Sequence, residues 1–195
     1  MKSFEEVIDF WFNELEPQQW FFQNDDVDQL IIERFTTLYN EAIAGNLQSW
    51  ADDPDGALAL VIILDQFPRN MFRQSGQSFA FDHKAREAAR LAINKGFDLK
   101  LPSEKRIFIY MPFMHSEELS DQDYCVQLIA ERMGEKGKLN LIHAKAHRYV
   151  IESFGRFPFR NDAIGRDSTR EEIAWLKEGA YQSAVKLFED QSANE

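Results

Sequence analysis

Two stretches of the chain could gather charge at one place. LDQFPRNMFR (residues 64–73) and FGRFPFRNDAIGR (residues 154–166) each carry a Phe-Pro pair followed within two residues by Arg-Asn. Proline removes a backbone donor and crowds the preceding turn, so each copy is expected to mark a helix corner. At the first, the helix is expected to end or kink near Gln66, which leaves Asp65 in the last turn with Arg69 and Arg73 as compensating cations. At the second, Gly155 closes a helix and Pro158 prevents its resumption before Arg160 and Asn161. Should the corners pack together, Arg69, Arg73, Arg156, Arg160 and Arg166, with Asp65, Asn70 and Asn161 beside them, form a cationic pocket able to hold a carboxylate or phosphate bidentately. The alternative is that each corner is pinned by its own ion pairs to nearby carboxylates and carbonyls.

A second group of chemically able residues lies in YMPFMHSEELSDQ (residues 110–122), where His115 and Glu117 stand near Glu118, Asp121 and Asp123. An imidazole with a carboxylate can act as general acid and base, although a loop of Ser, Glu and Asp is also what N-capping of the next helix requires. His143 and His147, in HAKAH, share one helical face. Ala144 stands where the HExxH motif has its Glu, and no further ligands are spaced to complete a zinc site, so no metal is expected. One exposed and one partly buried histidine is the expectation there. Neither a G-x-S-x-G elbow, a P-loop nor a G-x-G-x-x-G turn is present, so no motif names a reaction or a cofactor.

Helical periodicity runs through the whole chain. SFEE has the spacing of a capping box, and Phe4, Val7, Ile8, Trp11 and Leu15 follow on one face until Pro17. A second helix is expected from Asp26 to Gly45, and Asp53-Pro54 opens a third. KAREAARLAINKG, Ser103 to about Met111, Ser120 to Met133, Lys138 to Phe154, and a final helix opened by the capping box in STREE complete the set. The eight-residue run ALALVIIL is read as buried helix because its flanks are helical, and the WFF triplet at Trp20–Phe22 as a plug in the core. The expectation is an all-α single domain over residues 1–195, built from antiparallel helix pairs as a compact bundle or a short solenoid, with the last residues, DQSANE, frayed.

The 195 residues suffice for a sizeable core, and 17 Phe and 4 Trp supply it. A formal charge of -11 argues against nucleic acid or an anionic membrane as general partner. No apolar run approaches the roughly 20 residues of a membrane span, and MKSFEEVIDF puts two Glu where a signal peptide has its apolar stretch. Lone Cys125 can form no internal disulfide, which fits a reducing, cytoplasmic setting.

VIDFWF, LALVIILDQFPRNMFR, FAFDHKAREAARLA, YMPFMHSEELSDQ, FGRFPFRNDAIGRDSTREE and the Trp20-Phe21 pair, in that order, resemble the motifs of a mostly bacterial family known as domain of unknown function nine-two-four. The resemblance runs from about Val7 to Leu176. It implies an all-α fold of tetratricopeptide-like superhelical type and no established activity. The family's polar motif positions fall on Asp65, Arg69, Asn70, Arg73, His115, Glu117, His147, Arg156, Arg160, Asn161 and Arg166. Where the family usually reads Phe-Pro-His-Arg-Asn, this chain has Phe159, which counts against a catalytic base at that place.

Two classes of function follow. The first is a soluble helical binding module whose arginines take an acidic peptide terminus or a small anionic ligand. The second is a hydrolase or lyase-type enzyme in which His115 or His147 works with Glu117 while arginines stabilise developing negative charge. The second requires an imidazole within hydrogen-bond reach of Glu117 or Asp65.

Overall fold

In a computed structural model, which describes residues 3–192, the chain is all-α: nine α-helices joined by short 3-10 turns, with no strand among the described residues. Residues up to Pro112 form one compact unit and those from Phe113 onward a second.

In the first unit, α1 (Phe4–Asp9), α2 (Asp25–Ala44) and α4 (Asp82–Asn94) surround α3 (Pro54–Met71), and α5 (Ser103–Met114) begins here. Ser3 caps α1 with extended backbone but without a side-chain hydrogen bond, so the capping box in SFEE does not form. Beyond Asp9 the helix loosens into a π-turn, Phe10–Glu14, before Leu15 becomes extended. Helix α2 opens on Asn24, whose side chain accepts from the amides of Asp26 and Val27, and closes on Gly45 in the left-handed conformation. Helix α3 opens on Asp53 with Pro54 in its first turn, as its sequence requires. Gly56 sits so close to the Trp50 carbonyl that a Cβ there would overlap it.

Helix α3 does not end at Gln66. It continues through Pro68 to Met71, and Asp65 is an interior residue, fully buried. An interior proline costs about 3 kcal/mol or more. Every residue from Gly56 to Pro68 is buried, however, and Leu58, Val61, Ile62, Ile63, Leu64 and Phe67 each gain about 1.5–3 kcal/mol by leaving water. Packing therefore outweighs the break. The same holds for α5, which runs past Pro112 to Met114 among the buried side chains of Ile107–Met111. The unit's core is aromatic: Phe67 lies 4.9 Å from Phe35 and 5.7 Å from Trp11, which lies 5.9 Å from Phe108.

Only Trp20 of the WFF triplet is anchored, through its Nε1–H to the Trp11 carbonyl at 2.7 Å. Phe21 and Phe22 are 58% and 71% exposed, so they plug nothing. Trp20 ends the short 3-10 turn Pro17–Trp20, and Phe21 and Phe22 follow it before α2 begins.

In the second unit, α6 (Leu119–Arg132) and α9 (Ala180–Ser192) pack on α7 (Lys138–Phe154), with α8 (Arg170–Lys177) against α9. Val150, Ile151, Phe157, Ala184 and Val185 form its core, lined by Phe154, Trp175 and Tyr181. The expected final helix is two: Thr169 and Glu172 make the capping box of α8, and the chain turns at Gly179 and Ala180, both at positive φ, before α9. Of the DQSANE tail, residues up to Ser192 are helical and Ala193–Glu195 lie outside the described residues. No helix among the described residues is long and apolar enough to cross a membrane.

Candidate functional site

The first Phe-Pro stretch lies in the first unit and the second in the second unit, and each builds its own polar cluster. In the first unit, helical spacing puts Asp65 and Arg69 on one stripe of α3, and Arg73 follows in the turn just past its end. Arg69 donates from Nη1 to the Asp65 carbonyl and forms a bidentate pair with Asp82 of α4 at 3.0 and 3.1 Å. Burial works against its charge, but Asp65 and Asp82 outweigh that and raise its pKa. Asn70 donates to Asp28 of α2 at 2.7 Å, and Arg73 grips the same carboxylate with Nε and Nη2, the latter at 2.8 Å. Beside these pairs is a cavity of about 240 Å³, lined by Gln23, Arg69, Arg73, Gln74, Ser78 and Phe79. Gln74 holds a φ of 60°, a left-handed conformation that costs a non-glycine residue about 1–2 kcal/mol.

In the second unit, α7 ends on left-handed Gly155, and the returning loop is tied down by a continuous chain of hydrogen bonds. Arg156 pairs with Glu172 at 2.6 and 2.9 Å. Asn161, buried, donates to Glu172 at 3.2 Å and accepts from Arg166 Nε at 3.0 Å. Arg166 forms a bidentate pair with Glu117 at 2.6 and 2.8 Å, and Glu117 also accepts from the Phe157 amide at 2.9 Å. The Arg156 hydrogen bonds, against some burial, hold the Glu172 carboxyl down to about 2. Burial pushes Glu117 the other way, but Arg166 and the Phe157 amide keep it below the usual carboxylate range. Arg160 donates to the His115 carbonyl at 2.9 Å and lies 4.6 Å over the Phe157 ring, on whose surroundings Phe159 stacks at 5.2 Å.

The imidazoles of the second unit are spoken for. His147 bonds through Nδ1 to the His143 carbonyl at 2.9 Å, so Nδ1 carries the proton and the neutral ring keeps Nε2 as acceptor. Its ring lies 4.6 Å from Tyr181, 5.6 Å from Phe157 and 6.3 Å from His115. Burial, with His115, His143 and Arg160 nearby, pushes its pKa down to about 3. His143 meets the Tyr181 hydroxyl at 2.8 Å, and both histidines are partly buried, where one of the two was expected to be exposed. Glu117 spends its two oxygens on Arg166 and the Phe157 amide, so the imidazole–carboxylate pair that acid-base chemistry would need does not form on it. Among the described residues no group of three or more His, Cys, Asp and Glu is placed to hold a metal ion.

The model of a family described as bacterial protein of unknown function, DUF924, matches residues 7–180. The chain belongs to that family. A solved structure of a protein of unknown function from Agrobacterium tumefaciens is similar to it at a TM-score of 0.84 and 36% identity, covering 90% of this chain and 97% of that one. No curated protein matches.

The polar positions picked out by the sequence thus divide between the units. Asp65, Arg69, Asn70 and Arg73 come together in the first, and Glu117, Arg156, Asn161 and Arg166 in the second, with Arg160, His115 and His147 adjoining. Sequence reasoning missed the partners Asp28, Asp82 and Glu172 and the cavity residues Gln23, Gln74, Ser78 and Phe79. Asp82 and Glu172 stand inside FAFDHK and STREE and were within reach; Asp28 sits in an acidic helix start that reads as ordinary dipole compensation.

Proposed function

We propose that the protein is a helical binding module and that the cavity beside Arg69 and Arg73 takes a small, singly charged carboxylate. The observation that carries this reading is that the cavity is walled by two arginines whose guanidiniums are already held in place by aspartates. A donor fixed before the ligand arrives loses little freedom on binding, which is how a shallow polar site gains affinity. Arg73 spends Nε–H and one Nη2–H on Asp28, and its end-on edge, one Nη1–H beside the outer Nη2–H, suits the two oxygens of a carboxylate. The amide groups of Gln23 and Gln74 add donors and acceptors. The strained backbone at Gln74 supports the same reading, since such conformations gather where a side chain must be aimed.

Charge sets the class of ligand. The guanidiniums of Arg69 and Arg73 already pair with the carboxylates of Asp28, Asp65 and Asp82, so much of their charge is compensated. With that charge compensated, the site offers directed hydrogen bonds more than Coulombic attraction, which suits a monocarboxylate better than a strongly hydrated dianion such as phosphate or sulfate. An acidic peptide, the other partner class the sequence suggested, is disfavoured on the same ground.

The test is thermal stability with benzoate, butanoate, phosphate and sulfate at equal ionic strength. Ligand at a hundredfold excess over Kd raises stability by about 2.7 kcal/mol, so a true ligand is visible. The monocarboxylates are expected to raise the melting temperature of the parent and not of Arg73→Ala; equal shifts in both, or shifts by phosphate and sulfate alone, would refute the reading.

A further inference from the structure

A second hollow of the first unit has other walls and another chemistry. Small residues, Ala42 and Gly45 at the end of α2, Ala51 in the 3-10 turn Gln48–Asp52 and Ala88 of α4, leave a cavity of about 260 Å³ over the buried Leu60 and Leu64 of α3. At about 30 Å³ for each water molecule, that is room for a metabolite of roughly eight or nine non-hydrogen atoms. Along α4 the lining residues Lys84, Glu87, Ala88 and Leu91 recur at the spacing of one helical face, so a single stripe carries both apolar surface and two opposite charges. Opposite charges three positions apart on a helix can pair with each other. These do not. The Lys84 ammonium donates instead to the Ile43 carbonyl in the last turn of α2, where it compensates the negative end of that helix and keeps two of its three hydrogens for another acceptor. Among the described residues, the side chains of Glu87 and Gln48 make no hydrogen bond or ion pair, and Gln48 lies so close to Gly45 that a Cβ there would come within 2.6 Å of its Nε2. A cation, an anion and an amide therefore border one apolar hollow.

From this we infer that the cavity binds a free α-amino acid with an aliphatic side chain, as the zwitterion: its carboxylate on Lys84, its ammonium on Glu87 and its side chain over Leu60 and Leu64. The site is separate from the one beside Arg69 and Arg73, and the inference stands independently of it. Cβ atoms three positions apart on a helix lie about 5–6 Å from each other, a span from which two long side chains can converge on two groups borne by one carbon. Charge complementarity selects the class. A simple acid turns its carboxylate toward Glu87 as well as Lys84, and a simple amine turns its ammonium toward Lys84 as well as Glu87, whereas the zwitterion answers both charges. The end of a peptide carries only one of the two. The aliphatic floor and the small volume then set the side chain at about the size of norvaline or leucine.

Titration of the full chain with glycine, alanine, norvaline and leucine, followed by amide chemical shifts in nuclear magnetic resonance, reads both affinity and place. Shifts should centre on Gly45, Gln48, Ala88 and Leu91. Complete burial of a methylene is worth about a fourfold gain in affinity, so leucine, three carbons larger than alanine, is expected to bind at least about tenfold more tightly. Leucine without its carboxylate is 3-methylbutylamine, and without its ammonium it is 4-methylpentanoate; each should bind about fivefold more weakly than leucine, the worth of one exposed charge pair. Glu87→Gln, at an exposed position, should bring leucine to about the level of 4-methylpentanoate and should not weaken that acid. Lys84→Gln, which keeps a donor for the Ile43 carbonyl, should bring leucine to about the level of the amine. Ala88→Leu, with the fold intact by circular dichroism, fills the hollow and should erase the dependence on side-chain size. Leucine no tighter than alanine, an analogue of single charge that binds as tightly as leucine, or leucine binding unmoved by Glu87→Gln overturns the zwitterion. Binding that Arg73→Ala abolishes, a dimer that Ala88→Leu abolishes, or no shift at the cavity amides with any of the four amino acids overturns the site.

Discussion

Acid should weaken the second unit through His147. In the fold its pKa is pushed from 6.5 down to about 3 by burial against Tyr181 and Phe157, with His115, His143 and Arg160 adding like charge. In the unfolded chain the imidazole takes its proton near 6.5, so between pH 6.5 and 3 the unfolded state binds one proton more than the native state. Stability contributed by the neutral ring is therefore complete above pH 6.5 and is lost as pH falls, at up to about 1.4 kcal/mol for each pH step. Across the whole interval this amounts to about 4–5 kcal/mol, and water reaching the ring's open edge lowers the expected loss to about 2 kcal/mol by pH 4. The assay is urea unfolding at pH 7, 6, 5 and 4 for the parent and for His147→Phe, which cannot titrate and keeps the aromatic contacts. Below pH 6 the parent's stability should fall more steeply than the variant's, and the His147 ring signals in nuclear magnetic resonance should stay those of the neutral form down to pH 4. A ring that titrates near 6.5 in the native protein, or identical slopes in parent and variant, would refute the reasoning.

Other expected outcomes follow from single contacts. Glu117→Ala removes the bidentate partner of Arg166 and the acceptor of the Phe157 amide, and should cost about 1–3 kcal/mol by chemical unfolding, whereas Glu118→Ala, on a neighbour the network does not use, should fall within about 0.5 kcal/mol. Gly56→Ala drives a Cβ into the Trp50 carbonyl and should destabilise by about 1–3 kcal/mol, although alanine is the better helix former. Gln74→Gly should stabilise the protein by up to about 1 kcal/mol by relieving the left-handed backbone, yet weaken benzoate binding by calorimetry because the amide is lost from the cavity wall.

The fold was legible where the chain's local signals and its packing agree. Gly45, Asp53-Pro54, Gly155 and the capping box in STREE mark helix ends in the sequence and are helix ends in the structure, and α2 starts at Asp25, one residue before the expected Asp26. The failures have one physical source. Pro68 and Pro112 are breakers by local chemistry, but the apolar residues around each are buried on all sides, and that burial is a property of the tertiary structure, invisible in a window of ten residues. Phe21 and Phe22 failed in the opposite direction, since composition cannot tell an aromatic that finds a core from one that is left outside. Of the polar positions, the arginines could be picked out because repeated wording draws attention to them. Their partners could not, because Asp28 reaches Arg73 across 45 positions and Glu117 reaches Arg166 across 49.

The two near-identical stretches take different structures, and the difference explains why only one of them is read here as a ligand site. In LVIILDQFPRNMFR the proline follows an unbroken buried helix, so the helix persists and Arg69 falls four residues after Asp65 on the same stripe. Helical geometry then presents Arg69 to Asp82 of α4, while Arg73, in the turn just past Met71, reaches Asp28 of α2, with a cavity beside them. In FGRFPFRN the left-handed Gly155 has already ended α7, and Pro158 opens a short 3-10 turn. No helical register survives there to align Arg156, Arg160 and Arg166. Each turns instead to a different acceptor, Glu172, the His115 carbonyl and Glu117, and the result is a brace that holds the loop to the segment after α5.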